Sequence, residues 1–112
     1  MDRLAQLYDA FNARDIDRVL EALAPDVDWP NAWEGGRVHG HAAVRDYWTR
    51  QWQQISPRVD PVRFEHRPDG AIAVEVEQRV RLPDGDVREA RVIHVYRLRD
   101  GLIVRMDVEA GS

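Results

Sequence analysis

The sequence predicts an α+β fold in which helices occupy the first half of the chain and antiparallel strands the second. Three observations support this division. Apolar residues recur every three or four positions before residue 56, a spacing that is typical of amphipathic helices. Alternating apolar and charged residues follow. Asp-Gly turn signals at 69–70, 84–85 and 100–101 then divide this second half into four strands.

Composition is that of an ordinary globular protein, and we take residues 1–112 as a single domain. The 16 basic and 20 acidic residues are interspersed, which argues against nucleic acid as a partner. No run reaches the roughly 18 apolar residues of a membrane helix, and the acidic start MDRLAQLYDAF does not resemble a signal peptide. The absence of cysteine excludes disulfides and thiolate chemistry. We expect a cytoplasmic protein without a membrane partner.

Three helices are predicted in the first half of the chain. The first has an apolar face formed by Leu4, Leu7, Tyr8 and Phe11. Asp15 can cap the second, whose apolar stripe comprises Ile16, Val19, Leu20 and Leu23. The third begins at His41 and has a face that comprises Val44, Tyr47, Trp48 and Ile55. We interpret Tyr8, Phe11 and Trp48 as helix-face core rather than as ligand contacts.

The segments between the helices contain a short strand and loops. Pro25 ends the second helix, and residues 27–29 form a strand that stops at Pro30. Residues 31–40 are loop-like, and the sequence SPRVDP at 56–61 is expected to be a breaker before the strands begin.

The first two turns determine how three of the strands pair. Each has the sequence Pro-Asp-Gly and fits a type I turn with a left-handed glycine, closing a three-residue hairpin loop. One face of the sheet then carries the pairs Phe64–Val74, Val62–Val76, Val76–Val92, Val74–His94 and Gln78–Ala90. The other face carries the opposite charges Arg63–Glu75, Glu77–Arg91 and Arg79–Glu89. The same strand registers place apolar pairs on one face and opposite charges on the other in two successive hairpins, which supports the predicted meander.

The last turn, Asp100-Gly101, fits a two-residue type I′ loop. This loop predicts the pairs Leu98–Ile103, Tyr96–Arg105 and His94–Asp107. A three-residue loop would slip the register by one position and separate His94 from Asp107. In the two-residue register the outer face of this hairpin is apolar, with Ile93, Val95, Val104, Met106 and Val108. We therefore predict a homodimer through this outer face.

Three segments resemble a known family in order and spacing. They are LYDAFNARDIDRVLEALAPDVDW, GGRVHGHAAVRDYW and HVYRLRDGLIVRM. Together they resemble the SnoaL-like polyketide cyclase and ketosteroid isomerase branch of the nuclear transport factor 2-like superfamily over about residues 2–108. The resemblance implies a cone-shaped barrel of curved antiparallel sheet packed by three N-terminal helices, with a deep apolar pocket and frequent homodimers. The superfamily contains isomerases, cyclases, dehydratases, epoxide hydrolases and non-catalytic binders, so the resemblance implies one of these functions without selecting among them.

The isomerase residues of that branch are not kept in this sequence. By the resemblance, the oxyanion-binding tyrosine falls at Leu7, the aspartate base near Asn31, and the protonated aspartic acid at His94. Because all three residue types differ, we do not expect steroid isomerisation by that machinery.

His94 and Asp107 form the predicted catalytic pair. A carboxylate beside an imidazole fixes its tautomer and stabilises the imidazolium, as a general base requires. Burial would lower the pKa of the histidine and the carboxylate would raise it, so the net direction stays open. The competing interpretation is a structural pair or an inert pocket wall.

The predicted ligand contacts surround that pair. On one strand face, Trp29 and Trp33 would form flat apolar walls, and Asn31 would orient a ligand oxygen. Further contacts on the inner sheet face are Gln78, Tyr96, Val76 and Val92. His39 and His41 lack a third ligand, so we expect no metal and no cofactor.

The sequence thus predicts a pocket protein that binds a small hydrophobic molecule. It is either a cofactor-free acid–base enzyme that uses His94 and Asp107 or a non-catalytic carrier or sensor. A third alternative is an interaction module whose cavity is filled by its own side chains.

Overall fold

The computed structural model describes residues 2–31 and 34–110 and confirms the α+β class. The helices are α1 (Asp2–Asn12), α2 (Ile16–Glu21) and α3 (Gly40–Gln54). The strands are β1 (Leu23–Pro30), β2 (Arg37–His39), β3 (Ser56–His66), β4 (Ile72–Arg81), β5 (Val87–Arg99) and β6 (Leu102–Ala110). No helix in the described part of the chain is long and apolar enough to cross a membrane.

The six strands form one curved sheet in the order β2-β1-β6-β5-β4-β3. Neighbouring strands are antiparallel except β1 and β6, which are parallel. The sheet stays open, with β2 and β3 at its edges, so the cone-shaped barrel does not close. The helices pack against the face that carries Val74, Val76 and Tyr96, which we call the inner face.

The boundary between α2 and β1 differs from the prediction. The Asp15 carboxylate caps α2 by accepting a hydrogen bond from the Arg18 N–H at 3.4 Å. The helix ends at Glu21, so Leu23 belongs to β1 rather than to the helical stripe. Pro25 therefore lies inside β1 and does not end the second helix. The pairing of β1 with β6 is irregular between Leu23 and Asp28, so the missing N–H of the proline costs little there.

Residues 56–61 are not a breaker, because β3 begins at Ser56. Pro57 and Pro61 are tolerated since β3 is an edge strand. A bulge after Pro61 pairs that proline, instead of Val62, with Val76, and Val62 is left 49% exposed. Residues 37–39, predicted to be loop, form the short strand β2.

The predicted β4–β5 register is confirmed throughout. Val74 pairs with His94 and Val76 with Val92. Asp100 and Gly101 both have left-handed backbones, with φ of 54° and 81°, as the predicted type I′ turn requires.

The β5–β6 register begins as predicted and then shifts. Leu98 pairs with Ile103, but β6 contains an extra residue, Val104, at a bulge. Arg97 therefore pairs with Arg105, Tyr96 with Met106, Val95 with Asp107, and His94 with Val108. A one-residue shift moves each later side chain of β6 to the opposite face. Met106 and Val108 thus reach the inner face, while Arg105 and Asp107 lie on the outer face.

Candidate functional site

A cavity of about 450 Å³ lies between α1, α3 and the inner face of the sheet. Its described lining is mainly apolar and aromatic, with Tyr8, Phe11, Trp29, Tyr47, Trp48 and Tyr96. The interior is therefore not filled by the protein's own side chains, as the interaction-module alternative required.

Aromatic rings pack edge to face in the cavity wall. The ring centroids of Trp29 and Trp48 lie 5.4 Å apart at 88°, and those of Phe11 and Trp48 lie 5.5 Å apart at 76°. Such edge-to-face contacts hold rings in fixed orientations. Trp29 belongs both to the core and to the cavity wall, because it is 7% exposed and lines the cavity as predicted.

A chain of three buried polar side chains crosses one end of the cavity. The Tyr96 hydroxyl donates a hydrogen bond to the Tyr8 oxygen at 2.8 Å. The Tyr8 hydroxyl lies 2.8 Å from Nδ1 of His94. These residues come from α1 and β5, and none is more than 8% exposed. The hydrogen bonds offset the cost of burying three polar groups in an apolar wall.

The hydrogen bonds of this chain favour one tautomer of His94. Because Tyr96 donates to the Tyr8 oxygen, the single hydroxyl proton of Tyr8 can be donated to His94 Nδ1, and this arrangement places the ring proton on Nε2. Among the described residues, the hydrogen bond of the His94 ring is the one that joins Nδ1 to Tyr8, and His94 lines the cavity. Nε2 is therefore the ring nitrogen available to a ligand.

Burial determines the charge states of this chain. Desolvation lowers the pKa of His94 to about 4, so the imidazole is neutral at pH 7. Burial also raises the pKa of Tyr96 above its usual value. The pKa of Tyr8 is raised by burial and further by its interactions with Tyr96. The site is thus a neutral hydrogen-bonding system at physiological pH.

The predicted contact between His94 and Asp107 is wrong. The bulge at Val104 places Asp107 on the outer face, opposite Val95, while His94 faces inward. The Asp107 carboxylate instead accepts hydrogen bonds from Arg105 Nε at 2.8 Å and Arg37 Nη1 at 3.0 Å. These bonds, chiefly the one from Arg105, lower the pKa of Asp107.

Asp28 completes this outer ion cluster. Arg105 Nη1 donates to the Asp28 carboxylate at 2.7 Å, and Arg37 bonds the same side chain. The hydrogen bond from Arg37 is the main cause of the lowered pKa of Asp28. Arg37, Asp28, Arg105 and Asp107 thereby tie β2, β1 and β6 together across the outer face. Asp28 points away from the cavity, because its neighbour Trp29 on β1 faces inward and successive side chains of a strand alternate between faces.

The predicted ligand contacts differ in whether they line the cavity. Gln78, Val92 and Tyr96 line the cavity. Val76 is fully buried in the core and is not part of the described lining. Trp33 lies outside the described residues.

Asn31 also fails to reach the described cavity lining. Its Oδ1 accepts the Glu34 N–H at 2.7 Å, and its Nδ2 donates to Glu34 Oε1 at 3.1 Å. Asn31 therefore shapes the turn after β1, and its amide is occupied there rather than free for a ligand.

The two other histidines of interest have structural contacts. The ring Nε2 of His41 lies 2.8 Å from the Leu23 carbonyl, and His39 lies beside Asp28. Within residues 2–31 and 34–110, no group of three histidine or acidic side chains is placed to hold a metal ion.

Sequence reasoning missed several lining residues. Tyr8, Phe11 and Trp48 line the cavity as well as the core, and Gln51, Arg88 and Met106 also contribute to its wall. The available signal was Tyr8 itself, because a tyrosine on a core-facing helical stripe needs a partner for its hydroxyl. His94, Gln78 and Tyr96 were the polar residues predicted on the facing sheet surface.

Comparisons with known proteins agree with this architecture. The family model of the SnoaL-like domain matches residues 4–106. A nuclear transport factor 2-like protein of unknown function from Burkholderia pseudomallei is 30% identical, with a TM-score of 0.87 over 99% of this chain and 89% of that one. Among curated proteins, none matches this sequence.

Two more distant structures share the fold. A polyketide cyclase-like protein from Xanthomonas campestris is 22% identical, with a TM-score of 0.85 over 98% of this chain and 88% of that one. The epoxide hydrolase/cyclase-like enzyme SalBIII of salinomycin pyran ring formation is 20% identical, with a TM-score of 0.83 and the same two coverages. Because the family model matches most of the length of this chain, the chain belongs to the SnoaL-like domain family of the nuclear transport factor 2-like superfamily.

Proposed function

We propose that this chain binds a small, largely apolar organic molecule in the cavity and orients it through an oxygen that accepts a hydrogen bond from His94 Nε2. The observation that carries this proposal is the buried chain Tyr96–Tyr8–His94 at the end of an open, aromatic cavity. A neutral donor in an apolar pocket selects ligands that carry an oxygen at the position where it can accept the hydrogen bond.

The size and lining of the cavity support an apolar ligand. At about 450 Å³, it falls within the range of roughly 300–1,000 Å³ typical of small-molecule sites. Each Å² of apolar ligand surface that is removed from water there contributes about 25 cal/mol to the binding free energy. Aromatic walls such as Trp29 and Trp48 suit a flat or ring-containing molecule.

The environment of His94 favours a hydrogen-bond donor over a strong base. No carboxylate contacts the ring among the described residues, and burial holds its pKa near 4. A general base works best when its pKa lies near the operating pH. A neutral imidazole can instead polarise a carbonyl oxygen, as neutral histidines do in other enzymes.

Cofactor-free acid–base catalysis is a second candidate function, because the contact between Tyr8 and Nδ1 also permits the other tautomer of His94. In the other tautomer, Nδ1–H would donate to the Tyr8 oxygen, and the Nε2 lone pair would face the cavity. That state can take a proton from a ligand, and the resulting imidazolium keeps its bond to Tyr8. Fold relatives that include a polyketide cyclase-like protein and a cyclase-like enzyme agree with such chemistry.

Paired probes test the proposal. Isothermal titration calorimetry compares 2-acetylnaphthalene with 2-ethylnaphthalene, which lacks the oxygen, on the wild type and on His94→Phe. We expect His94→Phe to weaken the ketone by about three- to tenfold relative to the hydrocarbon, the value of one hydrogen bond. Chromatography of the recovered ketone, and of oxygenated ligands that co-purify, then separates a carrier from an enzyme.

Two bulky substitutions serve as matched controls for the location. Val92→Trp fills the cavity and should abolish binding of both probes, whereas Val62→Trp, on the exposed bulge of β3, should change neither. Failure of both probes to bind, or equal effects of the two tryptophans, would contradict the proposal.

A homodimer through the outer sheet face stays a proposal. The bulge removes Met106 and Val108 from that face, and Val95 is buried within the monomer, so the partly exposed Ile93 is the residue of this face that we test. Sedimentation velocity of the wild type and of Ile93→Glu tests it. A dimer that Ile93→Glu dissociates is expected, and a wild-type monomer at micromolar concentration would contradict it.

A further inference from the structure

The cavity has a charged rim at the end opposite to His94. Arg88 lines it from the start of β5. Along the inner face of β5, exposure rises from Tyr96 at 1% and His94 at 8% to the Arg88 side chain at 70%. The six residues from His94 to Arg88 span about 20 Å at the rise of an antiparallel strand. The guanidinium therefore lies where a ligand meets solvent.

The charges around the cavity are one-sided. Arg88 is a cation, and the described lining contains no aspartate or glutamate, although the chain has 20 acidic residues against 16 basic ones. The other polar groups of the described lining are uncharged at pH 7, including Gln51, Gln78 and the neutral His94. The described lining thus presents a ligand with one cation and no carboxylate, and the carboxylate beside that cation is Asp86 outside the lining.

Arg88 is free to exchange partners. Its Nη2 lies 3.2 Å from the Asp86 carboxylate, but the two side chains are 70% and 56% exposed. Ion pairs this exposed contribute little, at most about 1 kcal/mol. A ligand carboxylate can replace Asp86, because the planar guanidinium binds carboxylates through two parallel hydrogen bonds.

We propose that the ligand is an amphipathic carboxylic acid whose apolar body fills the cavity and whose carboxylate pairs with Arg88 at the rim. This inference rests on the proposed function and adds to it the charge and the direction of the ligand. The acid group stays at the solvent end, and the buried end carries the oxygen that meets His94.

Three probes with one tail and different head groups test the rim. Decanoate, decan-1-ol and decylamine are titrated calorimetrically at pH 7.5 into the wild type, Arg88→Gln and Arg81→Gln. Arg81 is the matched control, because it is exposed, pairs with Val87 one rung from Arg88, and lies on the outer face. Both variants remove one positive charge from almost the same place.

We expect decanoate to bind the wild type more tightly than decan-1-ol, and decylamine to bind most weakly. Arg88→Gln should weaken decanoate by about three- to tenfold, as for one solvent-exposed charged hydrogen-bonding contact. It should leave decan-1-ol within about twofold, and Arg81→Gln should leave all three probes within that limit. Rescue of decanoate binding by Arg88→Lys would support the role of the charge.

Equal affinities of the acid and the alcohol, or equal effects of Arg88→Gln and Arg81→Gln on decanoate, would overturn the acid-binding rim and leave the proposed apolar cavity standing. Failure of decan-1-ol and decanoate alike to bind the wild type would overturn both. The two failures are therefore distinguishable.

Discussion

The two faces of the β5–β6 hairpin handle polar side chains in opposite ways. On the inner face, His94 is neutral and buried, and it is held by the hydroxyl of Tyr8. On the outer face, Asp107 is ionised, partly exposed and held by two arginines. The inner arrangement leaves one nitrogen free for a ligand, whereas the outer one occupies its carboxylate with the neighbouring arginines. The difference puts the proposed ligand contact on the inner face and the ion pairs that join neighbouring strands on the outer face.

The largest expected effect comes from placing a charge on the inner face of this hairpin. Met106 is 4% exposed and pairs with Tyr96, so the carboxylate of Met106→Asp would be buried without a partner. This should cost about 3–5 kcal/mol of unfolding free energy. Urea denaturation measures it, with Asp107→Met on the partly exposed outer face as the control that should cost about 1 kcal/mol or less. Equal losses in the two variants would contradict the assignment of the two faces by the bulge at Val104.

The next effect sharpens the inner face through pH. The folded pKa of His94 is about 4, below the ordinary value of 6.5, so the unfolded chain binds more protons between these values. Stability contributed by the neutral ring is complete above pH 6.5 and is lost as the pH falls towards 4. The loss is on the order of 3 kcal/mol. His94→Phe should flatten the unfolding free energy across this window. Equal slopes in both proteins would contradict the assignment.

The smallest effect concerns the outer face. Asp107→Asn should cost only about 0.5–1 kcal/mol of unfolding free energy, because the cluster is partly exposed and Arg105 keeps Asp28 as a partner. Binding of 2-acetylnaphthalene should stay within about twofold of the wild type. A large loss of affinity with unchanged stability would restore Asp107 to the site.

The two hairpins also show how far the sequence predicts this molecule. The β4–β5 register was predictable because the turn type, the apolar pairs and the opposite-charge pairs all require it, and the structure keeps it over ten successive pairs, Ile72–Tyr96 to Arg81–Val87. The β5–β6 turn was equally predictable, but the bulge was not. It accompanies the parallel pairing of β6 with β1, which brings Arg37 to Asp107 from 70 positions away.

The candidate site was predictable only in part for the same reason. The cavity, the inner position of His94 and the roles of Trp29 and Tyr96 as wall follow from strand parity and from the family resemblance. The partner of His94 does not, because Tyr8 is 86 positions away and reads as ordinary helix core. Local patterns assign faces of elements, whereas contacts between distant elements decide which polar groups meet.

The most direct test of this account is the ¹⁵N NMR spectrum of the His94 ring across pH 3–8, recorded for the wild type and for Asp107→Asn. We predict the neutral form with its proton on Nε2 at pH 7, titration only near pH 4, and identical curves for the two proteins. A pKa near or above 6.5, or one that shifts when Asp107 is replaced, would contradict a neutral histidine governed by burial and Tyr8.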